Sequence, residues 1–303
     1  MTKKARQEAV AGYVFVIPAV ILLGIFLIYP MIHSLVLSFQ KFSYFNVEGA
    51  EWIGFQNFRE LFESRRFLGS VENTALIAVF VAPISAFVSL MLATLVDQNI
   101  KGRTFFRVAF YLPNVTSTVA LATIMGFLFR KGAFLVEFFH EAFGFEATSW
   151  FASTSLALPL VMIVLVWMYS GFFMLVYLAG LQTIPDQLYE MATLSGANKL
   201  QQFFYITIPL LKPTHFLVFL MLTINTFKVF DQPYVISTFG NASVAGGPAG
   251  ATSTVVIFLY QNAFKYFRMG YASAAAVVLF LAVFILTIIQ RRFFEGGGED
   301  EKR

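Results

Sequence analysis

The chain has 303 residues, of which 58 % are hydrophobic and 13 % charged, with a net charge of +4. Soluble domains carry about 25 % charged residues, so a soluble enzyme or nucleic-acid-binding domain is excluded and a membrane protein is indicated. Cysteine is absent, which excludes a disulfide framework and any thiolate metal site.

Lys3, Lys4 and Arg6 precede an uncharged stretch at 9–40. A cleavable signal has only ~7–15 apolar residues, so a retained first helix is expected. Further uncharged stretches cover 73–96, 108–129, 147–185 and 269–290, and 213–238 is interrupted only by Lys228 and Asp231. A helix needs ~20 residues to cross ~30 Å of hydrocarbon. Six spans are therefore expected, near 12–39, 73–97, 106–129, 154–182, 212–238 and 269–291. The apolar runs are continuous and do not alternate with period two, which favours helices over barrel strands. The expected fold is an all-α integral membrane protein with one transmembrane domain over 1–303. The Gly-rich end at 296–303 is expected to be a disordered tail.

Six spans put both termini on one side. If that side is cytoplasmic, Lys3, Lys4, Arg6, Lys101, Arg103, Arg107, Lys199, Lys212, Arg291, Arg292, Lys302 and Arg303 lie inside, and nine of the 21 Lys/Arg lie elsewhere. This follows the positive-inside rule. The positive charge then reflects topology, and no nucleic-acid partner is expected. The external connections are 41–72, with Trp52, Phe55 and Phe58, then 131–153, and an irregular Gly/Ala/Ser-rich loop at 240–254. Within 131–153, Phe134, Leu135, Phe138 and Phe139 predict a short amphipathic helix, with Trp150 beyond it at the membrane interface.

The cytoplasmic connection 183–211 is long enough to have a role of its own. Pro185 and Asp186 suit the first turn of a helix. Leu188, Met191, Ala192 and Ser195 share one helical face, and Gly196 breaks the helix. A second short helix runs through Phe203, Phe204, Ile206 and Ile208 to Pro209. On the residues alone, this hairpin is either an interfacial tether or a docking element.

The string Glu190-Met191-Ala192, with Gly196-Ala197, Phe203, Ile206 and Ile208-Pro209 after it, resembles the EAA loop of permeases in bacterial ATP-binding-cassette importers. Other strings resemble motifs of the maltose and glycerol-phosphate type of carbohydrate permease, in the correct order. They are Trp52-Ile53-Gly54-Phe55-Gln56-Asn57-Phe58, Arg103-Thr104-Phe105-Phe106-Arg107 with Leu112-Pro113, and Phe227-Lys228-Val229-Phe230-Asp231. Gly246-Gly247-Pro248 and Gly270-Tyr271-Ala272-Ser273-Ala274 complete the series. Two departures fall in the loop: Met191 replaces an alanine, and Ser195 stands where an aspartate is common. The segment 239–245 is longer than the family's usual run.

The resemblance implies a permease subunit that imports a sugar, polyol or glycerol-phosphate solute by alternating access. It would sit in a bacterial cytoplasmic (inner) membrane with both termini in the cytoplasm. Implied partners are a second permease (a heterodimer), an ATPase dimer, an external solute-binding protein and membrane lipid. ATP and Mg would bind on the ATPase, so this chain would hold no cofactor. The hairpin would be the coupling helix, with Glu190 the charged contact, Gly196 the turn, and Ala192 and Ala197 beside them.

Asn225, Lys228 and Asp231 recur every three residues, which places them on one side of a continuous helix. Charge inside a membrane is costly, so Lys228 and Asp231 either pair with each other or line a solute pathway. In the resembled family the pocket lies between the spans flanking the EAA loop. That implies Trp167, Tyr169 and Phe172 on the fourth span, with Met221 and Asn225 on the fifth. Aromatic faces suit a sugar ring and amides suit its hydroxyls.

The sequence has no phosphate-loop motif, no H-E-x-x-H and no G-x-S-x-G. Its three histidines, His33, His140 and His215, are far apart in sequence. An enzyme is not expected. The rival is an ion-coupled secondary transporter, a class marked by internal repeats, broken helices and midplane carboxylates. No repeat is visible, and Asp231 is the only carboxylate clearly within a span.

Overall fold

A computed structural model describes residues 3–43, 45, 49–98, 101–145, 147–239 and 245–295. The tail at 296–303 and positions 240–244 of the longer loop lie outside the described residues. Helix α1 (Lys3–Leu23) continues through one π turn (Gly24–Ile28) into α2 (Tyr29–Leu37). Strands β1 (Gln40–Lys41) and β2 (Glu51–Trp52) and helices α3 (Gln56–Glu63), α4 (Arg65–Asp97), α5 (Arg103–Val115), α6 (Thr118–Leu128) and α7 (Phe134–Phe143) follow. Next come α8 (Ala157–Leu181), α9 (Asp186–Leu194), α10 (Lys199–Gln202), α11 (Ile208–Leu210), α12 (Lys212–Phe227) and α13 (Asp231–Phe239). The chain closes with α14 (Val255–Tyr260) and α15 (Met269–Glu295).

Among the described residues, five stretches are long and apolar enough to cross a membrane: Gly12–Leu37, Arg65–Asp97, Ala157–Leu181, Lys212–Ser237 and Met269–Phe294. The stretch expected as a third straight span is instead two helices, α5 and α6, bent by 96°. Counted as one span, the pair makes six. The break has a local cause. Pro113 lacks a donor for the preceding turn, and the Thr116 hydroxyl bonds back to the Leu112 carbonyl at 2.8 Å. Thr116 and Ser117 are then extended, with ψ of 139° and 130°. The stretch Lys212–Ser237 is also interrupted: α12 ends at Lys228 (φ −94°, ψ 4°) and α13 begins at Asp231.

The chain divides into two compact units, Met1–Ser64 with Leu259–Val278, and Arg65–Phe258 with Leu279–Arg303. In the first, β1 and β2 pair antiparallel, Gln40 opposite Trp52. The buried Asn57 amide donates to the carbonyls of Ser38 and Gln40, both at 2.9 Å. The Phe39 ring contacts Trp52, Phe55 and Phe58 at centroid distances of 5.8, 5.2 and 5.4 Å. Gly270 has no side chain because none fits: a Cβ there would lie 1.9 Å from the Gln40 carbonyl oxygen. The 52–58 and 270–274 motifs thus build a small fold of their own. No residue of the apolar window in Gly12–Leu37 is buried.

In the second unit α4 and α8 form the centre, with α5 against α8 and α12 against α4. Gly171 lets α5 approach α8, since a Cβ there would meet the Phe110 carbonyl oxygen at 1.9 Å. Gly180 does the same for Thr214 on α12. Small residues at such crossings allow close helix packing in lipid. The outer helices α6 and α13 pack on each other. The segment around Gly246 and Gly247 is tied to α4: the Asn73 amide donates to the Gly250 and Ser253 carbonyls at 3.1 and 3.0 Å. Helix α7 forms as expected, and Trp150 is buried, its ring tilted against those of Phe129, Phe139 and Phe145.

Candidate functional site

The connection between α8 and α12 is a hairpin built by its own hydrogen bonds. Asp186 occupies the first turn of α9, where a carboxylate favours the dipole. At the other end, Gly196 is left-handed (φ +85°). Its N–H donates to the Thr193 carbonyl at 3.0 Å, and the Ala197 N–H donates to the Ala192 carbonyl at 2.9 Å. These two bonds make a complete Schellman stop. The expected coupling residues Ala192, Gly196 and Ala197 are therefore the turn itself.

Helix α10 starts with a capping box, in which Asn198 and Gln201 exchange side-chain-to-backbone bonds at 2.9 and 2.8 Å. Two clasps join the arms. Gln202 donates to Thr193 Oγ1 at 2.8 Å, and the Tyr189 hydroxyl contacts Thr207 Oγ1 at 2.9 Å. The outward surface is apolar: Leu194, Leu200 and Tyr205 are 89 %, 70 % and 80 % exposed. Leu188 and Met191, on the face read from the helical spacing, are exposed as well. A cavity of about 400 Å³ lies between the arms, lined by Ala192, Gly196, Gln201 and Tyr205 among others. Glu190 is exposed and forms no ion pair among the described residues. The Ser195 hydroxyl bonds to the Met191 carbonyl at 2.9 Å, so it is spent within the helix.

The hairpin leads directly into α8 and α12, whose expected pathway residues fall at matching depths. Phe172 is nine residues from the end of α8, and Met221 nine from the start of α12, each about 14 Å along the axis. Tyr169 and Asn225 follow at about 18 and 20 Å. Tyr169, Phe172 and Met221 are half-buried and pack on one apolar cluster that includes Phe173, Leu222 and Val218. Asn225 is half-buried. Trp167 does not join them: at 100° per residue it projects from the opposite side of α8, and it is 48 % exposed.

Asp231 does not share a helical face with Asn225 and Lys228, because the chain leaves the helix after Lys228, whose N–H still donates to the Ile224 carbonyl at 3.2 Å. Lys228 and Asp231 are both exposed, and they form no ion pair with each other. Asp231 lies within electrostatic range of Tyr169.

One aromatic and two polar contacts between helices had no signal in the sequence. Tyr111 on α5 stands 6.5 Å from Phe172. The Tyr177 hydroxyl meets His215 Nδ1 at 2.9 Å, and the Gln290 amide donates to Thr223 Oγ1 at 2.6 Å. Each joins two helices distant in sequence, so no local signal announced it.

Comparison with known proteins agrees with this architecture. Residues 85–295 match the family described as the binding-protein-dependent transport system inner membrane component. The chain is 34 % identical over 299 residues to the probable ABC transporter permease protein YurN of Bacillus subtilis, covering 97 % of this chain and 99 % of that protein. It is 33 % identical to the sulfoquinovosyl glycerol transport system permease protein SmoG of Agrobacterium fabrum, over 91 % of this chain and 87 % of that one. The sn-glycerol-3-phosphate transport system permease protein UgpA of Pectobacterium atrosepticum is 32 % identical over 93 % of each. In fold the chain is similar to a crystal structure of a bacterial ABC transporter that imports alginate. The TM-score is 0.79 at 21 % identity, over 98 % of this chain and 99 % of that one. The chain belongs to the family of binding-protein-dependent transport system inner membrane components, the membrane-spanning permease subunits of ATP-binding-cassette transporters.

Proposed function

We propose that this permease imports a carbohydrate-type solute (a sugar, a polyol or a glycerol phosphate) by alternating access driven by a separate ATPase. The observation that carries the reading is the hairpin α9–α11. It is locked by a Schellman stop, a capping box and two side-chain clasps, yet presents its apolar residues outward. A rigid element with an uncovered apolar surface is built to be covered. The reading assigns that cover to an ATPase dimer, which holds ATP and Mg, while this chain holds no cofactor and has no ATPase site of its own. Glu190 and the turn at Ala192, Gly196 and Ala197 make the contact.

The solute passes between α8 and α12, against Tyr169, Phe172, Met221 and Asn225, with Lys228 and Asp231 at the break and Trp167 on the neighbouring face. The carbohydrate class is supported by relatives named for sulfoquinovosyl glycerol, glycerol-3-phosphate and starch degradation products. Both termini lie in the cytoplasm, and 183–211 is the coupling loop of a single permease domain. Lipid and a second, distinct permease cover the open surface of α1. An external solute-binding protein docks on 41–72, 131–153 and 240–254.

The test is gentle purification of the tagged chain from its native host, followed by mass identification of what accompanies it. An ATPase and a second permease are expected, and Glu190→Gln should lower solute-stimulated ATP hydrolysis while leaving assembly intact. Full coupling in Glu190→Gln would remove Glu190 from the contact.

A further inference from the structure

Arg103 and Arg107 stand one turn apart at the start of α5, and both are half-buried. Asp97, at the end of α4, pairs with Arg103 through Nη2 and Oδ1 at 2.9 Å. No other ion pair reaches either guanidinium among the described residues. Three donors remain: Nε of Arg103, and Nε and Nη2 of Arg107 are buried and meet no acceptor. A guanidinium does not shed its charge, and burying charged donors without acceptors is costly. One carboxylate facing two arginines leaves a net positive charge, and the exposed Lys101 adds to it. The exposed part of each half-buried guanidinium suits the oxygens of a phosphate, which it can bind in a fork.

On the face of α5 beside Arg107, Val108, Leu112 and Val115 recur at i, i+4 and i+7 and are 59 %, 60 % and 64 % exposed. That apolar strip begins at the level of the guanidiniums and runs into the bent span. We propose that Arg103 and Arg107 hold the phosphate of an anionic phospholipid, whose acyl chain lies along Val108, Leu112 and Val115. The strip selects a lipid over free phosphate, because only a lipid supplies hydrocarbon beside its phosphate. Basic clusters at the ends of membrane spans bind such head groups.

The test is native mass spectrometry of the purified transporter complex, delipidated and then titrated with phosphatidylglycerol or phosphatidylcholine. Phosphatidylglycerol should bind roughly tenfold tighter or better, the size expected for charged hydrogen bonds. Arg107→Gln should erase that preference, Arg107→Lys should keep part of it, and Arg292→Gln should leave it unchanged. Equal binding of the two lipids by the unaltered complex would overturn the proposal, as would a full preference in Arg107→Gln. Displacement of phosphatidylglycerol by an equal concentration of inorganic phosphate would overturn the lipid assignment. If Arg107→Gln fails to assemble, the unaltered complex and Arg103→Gln decide the outcome by the same readout.

Discussion

Gly196 gives the sharpest test of the hairpin, because its two possible constraints separate. A Cβ added there would meet nothing within 4 Å, so space is not limiting. Its φ of +85° is limiting, since an L-residue in the left-handed region costs about 1–2 kcal/mol. Gly196→Ala should therefore weaken the turn by about that amount, a factor of roughly 5–30 in its population. Gly196→Asn should cost less, because asparagine tolerates this region. Gly196→Val should cost more, because it is β-branched. The assay is ATP hydrolysis by the reconstituted complex with and without its solute-binding protein, where stimulation should fall in the order Gly, Asn, Ala, Val. Hydrogen exchange at the Gly196 and Ala197 amides should rise in the same order. Equal behaviour of the three variants would refute the argument, for it would mean that the left-handed turn is not what transmits the signal.

The remaining predictions follow from single contacts. Gly171→Ala forces α5 and α8 apart, since its Cβ would lie 1.9 Å from the Phe110 carbonyl oxygen. Overpacking costs about 1–3 kcal/mol, so the thermal midpoint of the purified complex should drop even though alanine favours helix. Asn57→Ala removes two bonds at 2.9 Å and strands two carbonyls, about 1–3 kcal/mol; amides of residues 38–58 should exchange faster while ATP hydrolysis without the binding protein is unchanged. Asn225→Ala should reduce solute uptake at normal complex yield, whereas a drop in yield alone would make Asn225 a packing residue.

Much of the fold was legible because charge is expensive in hydrocarbon. The uncharged stretches marked the spans, and the Pro-Asp start and the glycine stop marked α9. The same signal hid the bend between α5 and α6. The break at Thr116 and Ser117 lies within 108–129, and that run's freedom from charge says nothing about the backbone inside it. Pro113, Thr116 and Ser117 were in view, but each is common in straight spans as well. The expected alignment of Asn225, Lys228 and Asp231 failed for a related reason. Spacing by threes means one face only while the helix continues, and the chain leaves α12 after Lys228, which separates Asp231 from the other two.

Trp167 was grouped with Tyr169 and Phe172 by the family resemblance, although two residues along a helix point to nearly opposite sides. The enclosure of Trp150 by Phe129, Phe139 and Phe145 was not legible, because these rings come together only in the folded chain. The hairpin's small residues were recognised by resemblance, and the geometry supplies the reason: Ala192 and Ala197 exchange the bond that closes the turn around Gly196. The two broken spans are a feature also expected of secondary transporters. Family membership, not the shape of these helices, separates this chain from that class.

The central claim, a permease powered by an external ATPase, is tested most directly by solute uptake into proteoliposomes holding the purified complex. Sealed-in ATP should drive uptake that survives collapse of every ion gradient and stops when ATP is omitted. Uptake by this chain alone, under an ion gradient and without ATP, would contradict the account.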